Sequence, residues 1–173
     1  MPDIIALLKA DHKEVKDLLT KLTADEEPSD CDALFAKLYA SLQLHARFEE
    51  EEVYPLLKED EETKDIALEA YEEHQQVKTL LEALNAMDDE DETCNAKMNV
   101  LSEDLLHHIK EEEGTLFPKL KKAVDAETLQ KLGESYQQAK AETESSEDQD
   151  EESGDAARGK KPAAKSHKAG RSH

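Results

Sequence analysis

Between residues 3 and about 24 the apolar positions Ile5, Leu8, Val15, Leu19 and Leu22 fall alternately three and four apart, provided His12 fills the gap between Leu8 and Val15. That period is the stripe of an amphipathic helix, so the pattern places His12 on the buried side. A break at Asp25-Glu-Glu-Pro28, with Ser29 or Asp30 as a cap, precedes a second helix whose stripe runs Leu34, Leu38, Leu42, His45, Glu49 and on to Leu56. Pro55 is expected to kink or end this helix near Tyr54, because it lacks a backbone donor and crowds the preceding turn. A third helix, roughly 62 to 87, turns Ala67, Ala70, His74, Val77, Leu81 and Leu84 to one side. After a charged turn at Asp88-Asp-Glu-Asp91, a fourth helix from about 93 to 122 faces Met98, Leu101, Leu105, His108 and Glu112 inward and meets Pro118. Beyond Asp125, Leu129, Leu132 and Tyr136 predict a short fifth helix across the end of the bundle. From about residue 141 the periodic apolar residues stop, and the pattern predicts a disordered tail over 141–173, acidic and then basic.

The pattern is written twice. His45-Ala-Arg-Phe-Glu49 runs on to Tyr54-Pro55, and His108-Ile-Lys-Glu-Glu112 runs on to Phe117-Pro118 at the same spacing. Upstream, Asp11-His12 and Glu73-His74 are each followed by Val-Lys-x-Leu-Leu. The chain therefore holds two helical hairpins, each with one histidine on its first helix and a His-x-x-x-Glu pair on its second. Four residues on a helix is slightly more than one turn, so each pair points one way. Short connections make neighbouring helices antiparallel, and the all-α fold expected over residues 1–140 is an up-down-up-down four-helix bundle with these side chains in its interior.

A lone inward histidine is ordinarily a core residue with its ring hydrogen-bonded. Four of them beside two glutamates require something more, because an ionised carboxylate in a dry core costs several kcal/mol unless a counter-charge accompanies it. Cations remove that cost, which marks His12, His45, Glu49, His74, His108 and Glu112 as metal-ligating residues. Imidazole with carboxylate suits iron, manganese or zinc and disfavours thiolate-bound centres. A carboxylate from each hairpin can bridge two ions, leaving two histidines per ion and open positions. Glu50, Glu51, Glu52, Glu111 and Glu113 are rotated off the stripe and read as a solvated face, with a supporting role held open for Glu52.

A formal charge of −21 argues against nucleic acid as a partner of the folded part and suits cation capture. No apolar run approaches bilayer length, and Met1-Pro-Asp-Ile-Ile lacks a basic start and cleavage site, so a cytoplasmic protein is expected. Cys31 and Cys94 lie fourteen residues before His45 and His108; small residues buried near two helix starts are the plain reading, a redox pair the other.

These residues together resemble the hemerythrin-like, HHE cation-binding family over about residues 1 to 140. The motif is a lone histidine and then His-x-x-x-Glu, each occurring twice, with an aromatic-proline closing the second element. The resemblance implies a non-haem di-iron centre of two iron ions, with Glu49 and Glu112 bridging and His12, His45, His74 and His108 as terminal ligands. Its ligand would be dioxygen, nitric oxide or peroxide, bound for sensing or protection and either returned or consumed; an iron sensor whose bundle is held by metal is the alternative. Respiratory hemerythrins carry a further histidine four residues after the third-helix one, where this chain has Lys78, and an aspartate in place of the fourth-helix glutamate. Tyr71, three residues before His74, and His107 are the two side chains that the sequence offers to complete the coordination.

Overall fold

The computed structural model of the chain describes residues 2–24, 30–87 and 91–153, with side chains described as far as residue 143. The chain divides into two units at Lys140, residues 1–140 and 141–173. Four long helices build the first: α1 (Ile4–Leu22), α2 (Cys31–Phe48), α4 (Glu61–Asn85) and α5 (Cys94–Glu111). Asp3 caps α1 by accepting from the amide of Ala6, and Asp60 caps α4 by accepting from that of Glu62. The helices form an up-down-up-down bundle in which α1 packs on α2 and α5, and α4 on α5 and α2. Among the described residues no strand occurs.

Helix continues through both prolines rather than ending at them. Each helical run passes through a π-turn, Glu49–Val53 or Glu112–Leu116, and then resumes as α3 (Tyr54–Lys58) or α6 (Phe117–Ala123). The Tyr54 amide bonds to the Glu49 carbonyl and the Phe117 amide to that of Glu112, both five residues back. The wider turn inserts one residue into the repeat just before a proline that has no amide to give. The insertion also shifts the buried register. Val53, Tyr54 and Leu57 are buried where an unbroken α-period puts Leu56, and Leu116, Phe117 and Leu120 repeat those offsets in the second copy.

The apolar core consequently comes in two pieces. One gathers Ile4, Leu8, Phe48, Leu57, Ala67, Leu120 and their neighbours; the other gathers Val15, Leu19, Leu38, Leu81, Leu101, Leu105 and theirs. His12 and His74 lie between them in sequence. His12 falls between Leu8 and Val15, His74 between Ala70 and Val77. A polar layer therefore crosses the bundle between two apolar ones.

The last helix, α7 (Ala126–Ser153), is 28 residues long rather than short. The tail was expected to begin at 141, yet helix continues to Ser153, and residues 154–173 lie outside the described ones. Ala139, Lys140, Ala141 and Glu142 favour helix by intrinsic propensity, a cue that apolar periodicity does not contain. Residues 25–29 and 88–90, where the two turns were expected, also lie outside the described residues. Cys31 and Cys94 are half-buried at the starts of α2 and α5, packed on the second apolar cluster. No helix of the described residues is long and apolar enough to cross a membrane.

Candidate metal centre

Helices α1, α2, α4 and α5 bring all six sequence-derived residues into the polar layer. His12, His45, His74, His108, Glu49 and Glu112 are each no more than 4 % exposed. They divide into two overlapping groups. His12, His45 and Glu112 form one, here called group A, and Glu49, His74, His108 and Glu112 form the other, group B. Within each group, one donor atom per residue lies within 4.8 Å of all the others.

The separations are those of atoms that share an ion. Two ligands about 2.1 Å from a metal and at right angles to each other stand about 3.0 Å apart. The Nε2 atoms of His74 and His108 are 3.0 Å apart. Glu112 Oε2 is 3.2 Å from His12 Nε2 and 3.4 Å from His108 Nε2. Glu49 Oε2 is 3.1 Å from His45 Nε2 and 3.5 Å from His74 Nε2. Each glutamate thus touches one histidine of each group, the arrangement a bridging carboxylate needs. His12 Nε2, Glu49 Oε1, Glu112 Oε2 and also His45 Nδ1 are buried without a well-formed hydrogen bond; the first three fit donor atoms arranged for a cation rather than for one another.

The comparison with known families settles what this layer belongs to: the family model described as Hemerythrin HHE cation binding domain matches residues 3–120. The chain belongs to that family. An HHE domain-containing protein from Mycobacterium kansasii, whose crystal structure is known, is 28 % identical, with a TM-score of 0.71 covering 84 % of this chain and 90 % of that one. A relative from Nostoc sp. named DNA nickase is 27 % identical over 135 residues, 78 % of this chain. The match takes in only 38 % of that relative, so the chain spans well under half its length.

Around the donor atoms of this HHE domain stands a ring of carboxylates that holds the imidazoles. His12 Nδ1 meets Glu113 Oε1 at 3.0 Å, His74 Nδ1 meets Glu50 Oε1 at 3.1 Å, and His108 Nδ1 meets Glu73 Oε2 at 2.6 Å. His45 Nδ1 faces Asp11 Oδ2 at 3.6 Å. A carboxylate on Nδ1 fixes the ring, turns Nε2 inward and raises its basicity. Glu50 and Glu113, read from the sequence as solvated, therefore face inward. Each directly follows a ligand-type glutamate, and the π-turn that starts there keeps it on the core side of the helix. Glu51 and Glu52 are exposed as expected, and Glu52 supports nothing in the site. Each inward glutamate is held in turn by a lysine, Glu50 by Lys78 at 2.7 Å and Glu113 by Lys16 at 3.2 Å. These are the lysines of the duplicated Val-Lys, and the acids before His12 and His74 are the other half of the ring; both cues stood in the repeat.

Neither side chain offered to complete the coordination does so. Tyr71 packs on the first apolar cluster with Lys58 Nζ 5.1 Å above its ring. His107 is on the outside, with its side chain 64 % exposed and near Glu111. The aromatic inside the centre is Tyr54, whose hydroxyl donates to Glu112 Oε1 at 2.9 Å and lies 3.2 Å from His74 Nε2 and 3.5 Å from Glu49 Oε2. The aromatic-proline pair was the signal for it, and the π-turn is what rotates the ring inward. Its counterpart Phe117 has no hydroxyl and stacks on His12, centroids 5.6 Å apart.

Electrostatics follow from burial and pairing. Burial would lower the pKa of His45, but the Glu49 and Asp11 carboxylates lift it to about 10. Burial opposes the charge of His108 too, and Glu112 and Glu73 likewise raise it to about 10. Glu112, despite burial, is held well below the usual carboxylate range by His108 and His12. Burial and the Glu49 and Glu112 carboxylates hold the Tyr54 hydroxyl well above its ordinary pKa, so it keeps its proton in the metal-free protein.

Proposed function

We propose that this HHE domain is a non-haem di-iron protein of the cytoplasm that binds dioxygen, nitric oxide or peroxide for sensing or protection. The observation that carries the reading is the shared position of Glu49 and Glu112, each within 3.5 Å of one histidine from each group. His12 and His45 would hold one ion, His74 and His108 the other, and the glutamates would span them. Beside the imidazoles lies a cavity with room for about one water-sized sphere, ≈ 20 Å³, walled by Val15, Leu42, Val77, Leu105 and Ile109. A small ligand of low polarity fits there, and a larger organic substrate does not.

Iron, when bound, supplies the electrons. The protein's own contribution is to orient four imidazoles through their carboxylates, to keep bulk water out with the two apolar layers, and to hold a proton at Tyr54 Oη for as long as group B is empty. We place Tyr54 as the additional oxygen donor of group B, where Lys78, turned out to Glu50, contributes none. DNA cleavage, suggested by the name of one relative, is not carried over, since a charge of −21 repels a polyanion.

The deciding experiment is metal quantification in protein made without added zinc or nickel, followed by visible absorption in the reduced state, in air and after peroxide. Two irons per chain and a reversible change on exposure to air are expected. Zinc-filled or metal-free protein with a featureless spectrum would end the proposal. The alternative, an iron sensor, is supported by burial of two carboxylates whose charge a bound cation would offset. It expects the metal-free form to be cut by protease where the iron form resists, and equal digestion of the two forms removes it.

A further inference from the structure

The two groups are repeated in sequence, but only one of them touches α7. Asp11, 3 % exposed, sits behind His45. Tyr136 Oη donates to its Oδ2 at 2.5 Å and Lys140 Nζ to its Oδ1 at 2.5 Å. The Tyr136 ring lies on Phe48, centroids 4.7 Å apart. One turn earlier, α7 crosses the chain's beginning so closely that a Cβ on Gly133 would stand 2.6 Å from the Pro2 carbonyl oxygen. Gly133, Tyr136 and Lys140 are spaced three and then four apart and form one face of the helix. The corresponding carboxylate of group B, Glu73, has neither a tyrosine nor a lysine on it among the described residues; it meets His108 and the exposed His107.

Resting on the reading of this layer as a metal centre, we propose that Tyr136 and Lys140 are positioning residues for group A alone, so that docking of α7 and occupancy of group A by a divalent cation favour each other. The chain of contact is short. The metal needs His45 with Nε2 free and turned inward, and the carboxylate that faces the ring's other nitrogen, Nδ1, is Asp11 at 3.6 Å. Buried Asp11 stays in place behind that ring because α7 supplies two donors to it. Once α7 lifts, Asp11 loses both, and His45 loses the group that orients it. Linkage makes the effect reciprocal: a cation at group A holds α7 down by the same factor that α7 strengthens the cation's binding. Group B has no such connection, so the two groups fill and empty unequally although their donor atoms are copies.

Cobalt(II) titration of metal-free full-length protein tests this in two backgrounds, His108→Ala, which leaves group A, and His12→Ala, which leaves group B. Tyr136→Phe keeps the ring on Phe48 and removes only the hydroxyl. It is expected to weaken cobalt binding about tenfold in the first background and to leave the second unchanged, since losing an outer hydrogen-bond partner of a ligand commonly costs 10–100-fold. Gly133→Ala, far from any donor atom, should act in the same direction by lifting the helix. Amide exchange at residues 129–140 should slow on adding cobalt in the His108→Ala background and stay unchanged in the His12→Ala one. Equal weakening in both backgrounds, or no weakening in either, overturns the proposal and leaves the metal centre standing. Failure of the unsubstituted chain to bind cobalt at all overturns the centre and this proposal with it.

Discussion

Groups A and B are made from the same string of residues and differ in what surrounds them. Group A has Phe117 stacked on His12 and Asp11 buried under Tyr136 and Lys140. Group B has a phenol hydroxyl among its donor atoms and, behind His108, a carboxylate that is 21 % exposed. Duplication gave each group a matching pair of histidines, while the exchange of Tyr54 for Phe117 between the copies and the unduplicated α7 made their surroundings unequal. The difference suggests a division of work: A is enclosed and fastened, which suits an ion that stays, while B has an extra oxygen donor and a more exposed carboxylate behind it, which suits an ion that reacts.

The strongest way to break the comparison is to remove what the groups share. Glu112 belongs to both, so Glu112→Gln should abolish the distinction by emptying both, with iron content falling from two toward none and affinity reduced at least about 100-fold. The metal-free fold should lose about 3 kcal/mol as well, because His108 and His12 are buried against that carboxylate. Iron analysis and a urea melt report the two effects separately. Retention of one tightly held ion would show that the glutamate serves a single group.

How far such inequality can be read in advance depends on whether its cause is periodic. The six donor residues were legible because spacing alone put His12, His45 and His74 on buried stripes and paired His108 with Glu112. The inward turn of Glu50, Glu113 and Tyr54 was not legible, since it depends on a π-turn, and an α-period carried across Glu49 assigns Glu50 to solvent and Leu56 to the core. The aromatic-proline closing each copy marked the place without revealing the register shift. Spacing from His74 and His108 offered Tyr71 and His107, and it did not offer Tyr54. The length of α7 was missed because acidic helix formers carry no stripe, while its link to Asp11 spans 125 residues and leaves no local trace.

Titration separates shared from unshared features next. In the metal-free protein His45 of group A and His108 of group B both have pKa values raised from 6.5 to about 10. A raised folded pKa contributes stability in full below the unfolded value and loses it as pH climbs through the folded one. Urea midpoints of the metal-free chain should therefore fall between pH 6.5 and 10, and either His→Ala substitution should flatten part of that fall. The iron-loaded protein, whose imidazoles bind metal in neutral form, should show little of it. The acid side draws on both groups, since Glu112 and Glu50 are also held below the usual carboxylate range, and Asp11 adds a part that belongs to A. Burial works against the charge of Asp11, but His45, Lys140 and Tyr136 bring its pKa down from 3.8 to about 2. Its contribution is present above 3.8 and disappears as pH falls through 2, so Asp11→Asn should remove part of the acid-limb loss. A metal-free chain equally stable at pH 7 and pH 10 would contradict the pairing described.

The smallest effect on metal content, and the sharpest on the difference between the groups, is expected from Tyr54→Phe, which gives group B the aromatic that group A already has. The phenol is buried and within 3.5 Å of donor atoms from three residues, so removing it takes away a donor without disturbing the ring's packing. Two irons should remain, because four imidazoles and two carboxylates are untouched. What should change is colour: a phenolate on ferric iron absorbs in the visible, and that band should vanish from the oxidised protein while the rest of the spectrum persists. Glu112 Oε1 and Glu49 Oε2 lose their neutral donor in the same substitution, which leaves them freer to bind metal and limits any loss of affinity to a few-fold. An unchanged visible band would remove Tyr54 from the ligand set and leave it as a hydrogen-bond donor to the bridging carboxylates, and the two groups would then differ only in their outer fastening.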